Sequence, residues 1–106
     1  MTVQSVITTD EFENVIKSHI RVCIDFYATW CGPCRKISPY IESISEDKKY
    51  TNVHFIKVDI EILEDIAESF NITSMPTFVF VVNEKEVSRF VGADKSLLHK
   101  HLDALE

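Results

Sequence analysis

No stretch of the 106-residue sequence approaches the roughly 18 consecutive apolar residues that a membrane-spanning helix needs, so no membrane role is expected. The N-terminus lacks a basic segment followed by an apolar one, which leaves no visible secretory signal and makes a cytoplasmic location the expectation. Basic residues are in deficit: 11 Lys and Arg stand against 17 Asp and Glu, for a net charge of −6. That balance favours solubility and argues against nucleic acid or an anionic membrane as a main partner. Cysteine is scarce and odd in number, three in all, whereas a secreted disulfide scaffold is richer and usually even. A structural zinc site needs four ligands, and only His99 and His101 lie close in sequence. Two positions apart in a helical pattern, they face different ways, so no metal is expected. No linker, repeat or low-complexity segment breaks the chain. Residues 1–106 therefore read as one domain, long enough to bury roughly 60–70% of its unfolded surface, and the 45% apolar content agrees.

Apolar periodicity supplies the elements. Val3 to Ile7 reads as a first strand. Thr8 and Glu11 form a capping box ahead of Phe12, Val15, Ile16 and His19 at helical spacing. Val22 to Tyr27 is apolar on both faces except at Asp25, as a central strand covered on both sides would be. A second helix is predicted from about Pro33 to Ser45, with a kink at Pro39, which removes one backbone N–H. After a charged connection, Glu46 to Asn52, comes a third strand, Val53 to Val58, with Lys57 among apolar neighbours. Ile62, Leu63, Ile66, Ala67 and Phe70 mark a third helix ending at Asn71, a plausible left-handed residue. A turn at Thr73 to Pro76 leads into the strand Thr77 to Val82, and Asn83-Glu84-Lys85 turns the chain into Glu86 to Val91. Asp94 caps a last helix whose buried stripe is Leu98, His101, Leu102 and Leu105. Alternating strands and helices followed by a hairpin define an α/β protein with a parallel part and an antiparallel part.

The chemistry concentrates in Trp30-Cys31-Gly32-Pro33-Cys34. This segment lies where the second strand gives way to the second helix. A helix N-terminus carries unpaired N–H groups and a positive dipole end, which favour a thiolate. In such a Cys-x-x-Cys setting a thiol pKa falls from about 8.5 to roughly 3.5–7.5. Residues three apart on a helix hold their Cβ atoms about 5–6 Å apart, and a disulfide needs about 3.5–4.5 Å. Placing Cys31 at the helix entry, where dihedrals need not be helical, closes that gap. Pro33 suits the first turn because its missing N–H would be unpaired there anyway, and Gly32 frees the entry. Cys31, ahead of the helix and exposed, is the expected nucleophile; Cys34, one turn in and more buried, suits a resolving thiol. An inert crosslink is poorly motivated, since a four-residue loop constrains the unfolded chain little. Asp25 either bends outward at a strand edge or is buried for a reason, because an unpaired buried ion is expensive. Cys23 shares its parity and reads as a small core residue kept away from Cys31. His19, His54, His99 and His101 have no triad-like setting and read as surface or half-buried.

The run Asp25-Phe26-Tyr27-Ala28-Thr29-Trp30-Cys31-Gly32-Pro33-Cys34 resembles the active-site signature of the thioredoxin family. Cys-x-x-Cys alone is a weak signal. Trp30 before it, Gly-Pro inside it and a lone Asp six residues upstream make it specific, and the resemblance covers essentially the whole chain. It implies a thioredoxin fold: a five-stranded mixed sheet with four helices, two on each face. It also implies reduction of client-protein disulfides by Cys31 and Cys34, with Gly32 and Pro33 shaping the pair. Asp25 would relay protons to the buried cysteine, with Lys57 as its partner, and burial is expected to raise the Asp25 pKa despite Lys57. Pro76 would be a cis-proline packed against the disulfide. Trp30, Met75, Pro76, Gly92 and Ala93, together with Gly32 and Pro33, would form the client-docking surface. The implied partners are a flavoprotein thioredoxin reductase and clients such as peroxiredoxin-type or reductase-type enzymes. The chain would act as a monomer, with no bound cofactor; NADPH enters only through the reductase. Two departures stand out: Glu84 replaces the glycine usual in that turn, and Tyr27 stands where many members carry Trp. An oxidising or isomerising domain of the disulfide-isomerase type is the rival within the same chemistry, but usually has His before the second Cys. A binding module whose docking face matters more than turnover is the rival outside it.

Overall fold

Residues 2–105 are described by a computed structural model. Five strands form one sheet in the order β1-β3-β2-β4-β5: β1 (Val3–Val6), β2 (Arg21–Tyr27), β3 (His54–Asp59), β4 (Thr77–Val82) and β5 (Lys85–Val91). β1 and β2 run parallel to β3, while β2–β4 and β4–β5 are antiparallel. The parallel joints follow from helical crossovers, α1 (Thr9–Ser18) and α2 (Gly32–Ser45), and the antiparallel end follows from a tight hairpin. α3 (Glu64–Ser69) and α4 (Lys95–Asp103) complete the two outer layers.

The alternation along β2 assigns the faces. Val22, Ile24 and Phe26 join Phe12 and Val15 of α1 and Ile66 of α3 in one core cluster. Cys23 points the other way, into a cluster with Ile37, Ile41 and Ile44 of α2, Phe78 and Phe80 of β4, and Leu98 and Leu102 of α4. Two helices therefore cover each face. Asp25 shares the parity of Cys23 and so lies beneath α2 rather than at a solvent-facing edge; it is buried. Lys57 sits opposite Asp25 in the β2–β3 register, on the same face, and Phe78 sits opposite it in β4.

Caps match the sequence. Thr8 Oγ1 accepts the Glu11 N–H at 3.1 Å, and Glu11 Oε1 accepts the Ile7 N–H at 3.0 Å; Asp94 Oδ1 accepts the Leu97 N–H at 2.9 Å. Asn71 takes the left-handed conformation with φ 55°. α2 runs through Pro39 from Gly32 to Ser45.

Several boundaries shift. Ile7 lies outside β1, because its amide serves the capping box instead of a sheet ladder. β3 starts at His54 and extends to Asp59, and Lys48–Tyr50 forms a 3-10 turn inside the charged connection. Ile62 does not belong to the buried stripe of α3. It is 57% exposed and precedes the helix, while Leu63 is buried and its carbonyl accepts the Ala67 N–H. The β4–β5 turn is two residues rather than three: Lys85 already pairs with Val82, leaving Asn83 and Glu84 at φ 51° and 69°. A two-residue hairpin with both central residues left-handed fits the twist of the strands, but suits Asn-Gly better than Asn-Glu. A side chain in that region costs about 1–2 kcal/mol, partly offset by the lower unfolded-state entropy of a non-glycine residue. Glu84→Gly is therefore expected to stabilise the protein by about 0.5–1 kcal/mol, read by denaturant titration. A loss of stability would contradict the strain assigned to Glu84.

Candidate active site

At the C-terminal end of β2 the chain leaves the sheet centre and turns once before α2. The Cys31 N–H donates to the Ala28 carbonyl at 3.2 Å, and Arg35 Nη1 donates to the Thr29 carbonyl at 3.1 Å, fixing that turn from both sides. Cys31 becomes the N-cap of α2 with extended backbone (φ −85°, ψ 113°), and Gly32 and Pro33 open the helix. The Cys34 N–H points at the Cys31 sulfur, 3.2 Å away. A sulfur in this position receives an N–H that has no intrahelical partner, together with the positive end of a 14-residue helix. The two cysteines are joined as a disulfide with a Cα–Cα distance of 5.3 Å.

From the sequence, Cys31 is expected to be exposed and Cys34 more buried. In the disulfide state the two are nearly alike, at 6% and 4% exposed. Ala28 is fully buried with them, and Tyr27, Ile60 and Met75 pack against the cluster. Pro76 is buried, the Met75–Pro76 peptide bond is cis, and the Gly92 N–H donates to the Pro76 carbonyl at 2.8 Å. That bond continues the β4–β5 ladder, where Thr77 faces Val91, and so draws Gly92 (φ 109°) and Ala93 to the same end of the sheet. Trp30 is 62% exposed, and Gly32, Pro33 and Ala93 are exposed. Of the residues assigned to docking, Met75 packs against the cysteine cluster, and Gly92 and Ala93 follow β5 at the end of the sheet where β2 finishes.

Behind the disulfide lies a cleft of about 260 Å³ lined by Asp25, Tyr27, Ala28, Cys34, Ser38 and Lys57. Asp25 Oδ1 is buried without a hydrogen-bond partner among the described residues. Burial pushes the Asp25 carboxyl up from its ordinary 3.8 to about 7, against the opposing attraction of Lys57. Lys57 acts through space: its ammonium lies 5.7 Å from the centre of the Tyr27 ring. Cys23, the free thiol, is buried in the core, and burial followed by the nearby Asp25 charge raises its pKa well above the ordinary value. His99 and His101 diverge: His99 Nδ1 meets the Tyr50 hydroxyl at 3.0 Å, and His101 stacks on Phe80 and Phe90.

The sequence reading gave Tyr27 no role and did not single out Ile60, Ala28 or Ser38. The parity of Tyr27 with Asp25 was the available signal for its place in the cleft.

A disulfide-forming cysteine pair at a helix N-terminus, with a buried carboxyl behind it, defines a site for thiol–disulfide exchange. The comparisons agree. A family model described as Thioredoxin matches residues 3–104. Thioredoxin-2 of Pyricularia oryzae is 38% identical over 104 residues, covering 98% of this chain, which spans 60% of that relative's length. The structure of Plasmodium falciparum thioredoxin superposes with a TM-score of 0.92 at 39% identity, covering 98% of this chain and all of that one. A chain from a structural study of thiol resolution in yeast mitochondrial 1-Cys peroxiredoxin via glutathione and thioredoxin systems matches with a TM-score of 0.89 at 34% identity, covering 98% and 96%. The chain belongs to the thioredoxin family. It is a thiol–disulfide oxidoreductase with protein-disulfide reductase activity.

The raised carboxyl sets a pH dependence of stability. A folded value near 7 against an ordinary value of 3.8 means that folding favours the protonated form. The benefit is complete below pH 3.8 and is lost as pH rises towards and through 7. The gap corresponds to a burden of up to about 4 kcal/mol above neutrality. Asp25→Asn, which keeps the shape without the charge, is expected to raise the melting temperature at pH 8 and change it little at pH 4. Equal effects at both pH values would contradict a buried, ionising Asp25.

Proposed function

We propose that this chain reduces client-protein disulfides with Cys31 as nucleophile, Cys34 as resolving thiol and Asp25 as proton acceptor. The observation that carries this reading is the unpaired Asp25 oxygen in a cleft that also reaches Cys34. In the reduced protein the Cys31 thiolate attacks one sulfur of a client disulfide. The client S–S bond breaks, a mixed disulfide forms, and the leaving client thiolate takes a proton from water. The Cys34 thiol passes its proton to the Asp25 carboxylate, and its thiolate attacks the Cys31 sulfur. The mixed disulfide breaks, the second client thiolate leaves, and the Cys31–Cys34 disulfide forms; two electrons have passed to the client. A carboxyl near 7 can accept and return a proton at neutral pH, which supports this role.

Trp30, Gly32, Pro33, Met75, Pro76, Gly92 and Ala93 are the proposed docking surface. An extended client segment would lie beside Met75 and Pro76, with apolar contacts to exposed Trp30. A flavoprotein thioredoxin reductase drawing on NADPH would return the two electrons. The peroxiredoxin study among the structural matches favours peroxiredoxin-type enzymes among the clients. We read the chain as a single monomeric domain working in the cytoplasm; the relatives also include a mitochondrial thioredoxin of yeast.

The roles of the two cysteines are separable by trapping. Cys34→Ser, incubated with oxidised insulin or a peroxiredoxin disulfide, is expected to accumulate mixed disulfides on non-reducing gels. Cys31→Ser should accumulate almost none. Equal trapping by both variants would overturn the assignment.

A further inference from the structure

Lys57 has two seats within reach. One is the Asp25 carboxylate, opposite it in the β2–β3 register on the same face of the sheet. The other is the ring of Tyr27, two residues along β2. The ammonium takes the ring, 5.7 Å from its centre, within the range of a cation–π contact, and Asp25 Oδ1 is left without a hydrogen-bond partner among the described residues. Tyr27 and Lys57 are both half-buried, so the ammonium on the ring keeps part of its water. Moving onto the buried carboxylate would strip that water away.

We propose that Tyr27 is a positioning residue: its ring holds the Lys57 ammonium off Asp25, so that the carboxylate stays unpaired and able to take the proton of Cys34. The inference deepens the exchange mechanism above and rests on Asp25 as its proton acceptor. An ammonium seated on Asp25 would hold the carboxylate ionised and make it a poor acceptor at neutral pH. The other charged and titratable groups around Asp25 do not supply a substitute. On β2, Cys23 is a buried thiol. On β3, Asp59 is acidic and its Oδ1 accepts the Glu61 N–H at 2.9 Å. On α2, Arg35 is tied to the Thr29 carbonyl and Cys34 is the proton donor itself. On β4, the residue opposite Asp25 is Phe78. Lys57 is thus the cation that opposes the effect of burial on Asp25, and Tyr27 is the side chain that holds it. The aromatic ring, rather than the hydroxyl, is the required feature, so the tryptophan that many family members carry there would serve as well.

The test is a carbon-13 NMR titration of the Asp25 carboxyl in the oxidised protein. Tyr27→Phe and Tyr27→Trp are expected to keep the wild-type midpoint. Tyr27→Leu, and Tyr27→Met as a second non-aromatic filling of the same space, are expected to lower it by about one pH unit, a tenfold change. In a Lys57→Met background the Leu and Met substitutions should no longer lower it. Stopped-flow measurement of the resolving step should show its pH profile moving with the titration. Equal midpoints for the aromatic and non-aromatic variants, or an undiminished fall without Lys57, would overturn the proposal. A resolving step indifferent to Asp25→Asn would instead overturn the relay role of Asp25, while the titration still decides whether Tyr27 holds Lys57.

Discussion

The Cys34 amide donating to the Cys31 sulfur at 3.2 Å is the contact on which the site depends. It requires a helix that begins one residue after a cysteine, and the rest of the fold supplies that start. β2 lies at the centre of the sheet and ends in a turn held by Ala28 and Thr29 carbonyls. Pro33 occupies a helix position that has no use for an N–H. Ile37, Ile41 and Ile44 then hold α2 down on the sheet, so its N-terminus cannot swing away from the end of β2. In the reduced protein, a sulfur held in this way would be favoured as thiolate by that N–H and by the positive end of the helix.

The same packing creates the second constraint. Covering β2 on both faces leaves no solvent-facing side for Asp25, and its parity with Cys23 sends it under α2, towards Cys34. A carboxylate in that place destabilises the folded protein at neutral pH. Its retention is understandable if the group works, since a buried acid held near neutrality can exchange protons in both directions of the reaction. In the proposed mechanism, stability is given up at the point where proton transfer is needed.

Much of this arrangement was legible in the residues. The break in apolar character at Asp25, the Gly-Pro pair between two thiols, and the capping residues Thr8 and Asp94 each carry a local physical meaning that does not depend on the rest of the chain. What stayed hidden depends on three-dimensional packing. Cys31 and Cys34 are nearly equally buried in a cluster with Ala28, against which Ile60 and Met75 pack from distant segments. The exposure of Ile62 could not be told from its apolar side chain, because Leu63 next to it fits the same helical pattern. The seat of Lys57 was invisible for a further reason. Register placed it opposite Asp25, but the choice between a carboxylate and a ring is made by water and geometry, which a sequence does not record. The family resemblance carried the five-stranded mixed sheet and the proposed grouping of Met75, Pro76 and Gly92, while the order of the strands came only with the structure.

The central claim is that this site is built to donate electrons to client disulfides. Its most direct test is the reduction potential of the Cys31–Cys34 pair, obtained by equilibrating the protein with glutathione redox buffers and quantifying the two forms. A value near the roughly −270 mV of reducing thioredoxins is expected, below the about −220 to −260 mV of an extracted cytosolic glutathione pool. A value near about −180 mV or higher, in the range of disulfide isomerases and oxidants, would contradict it.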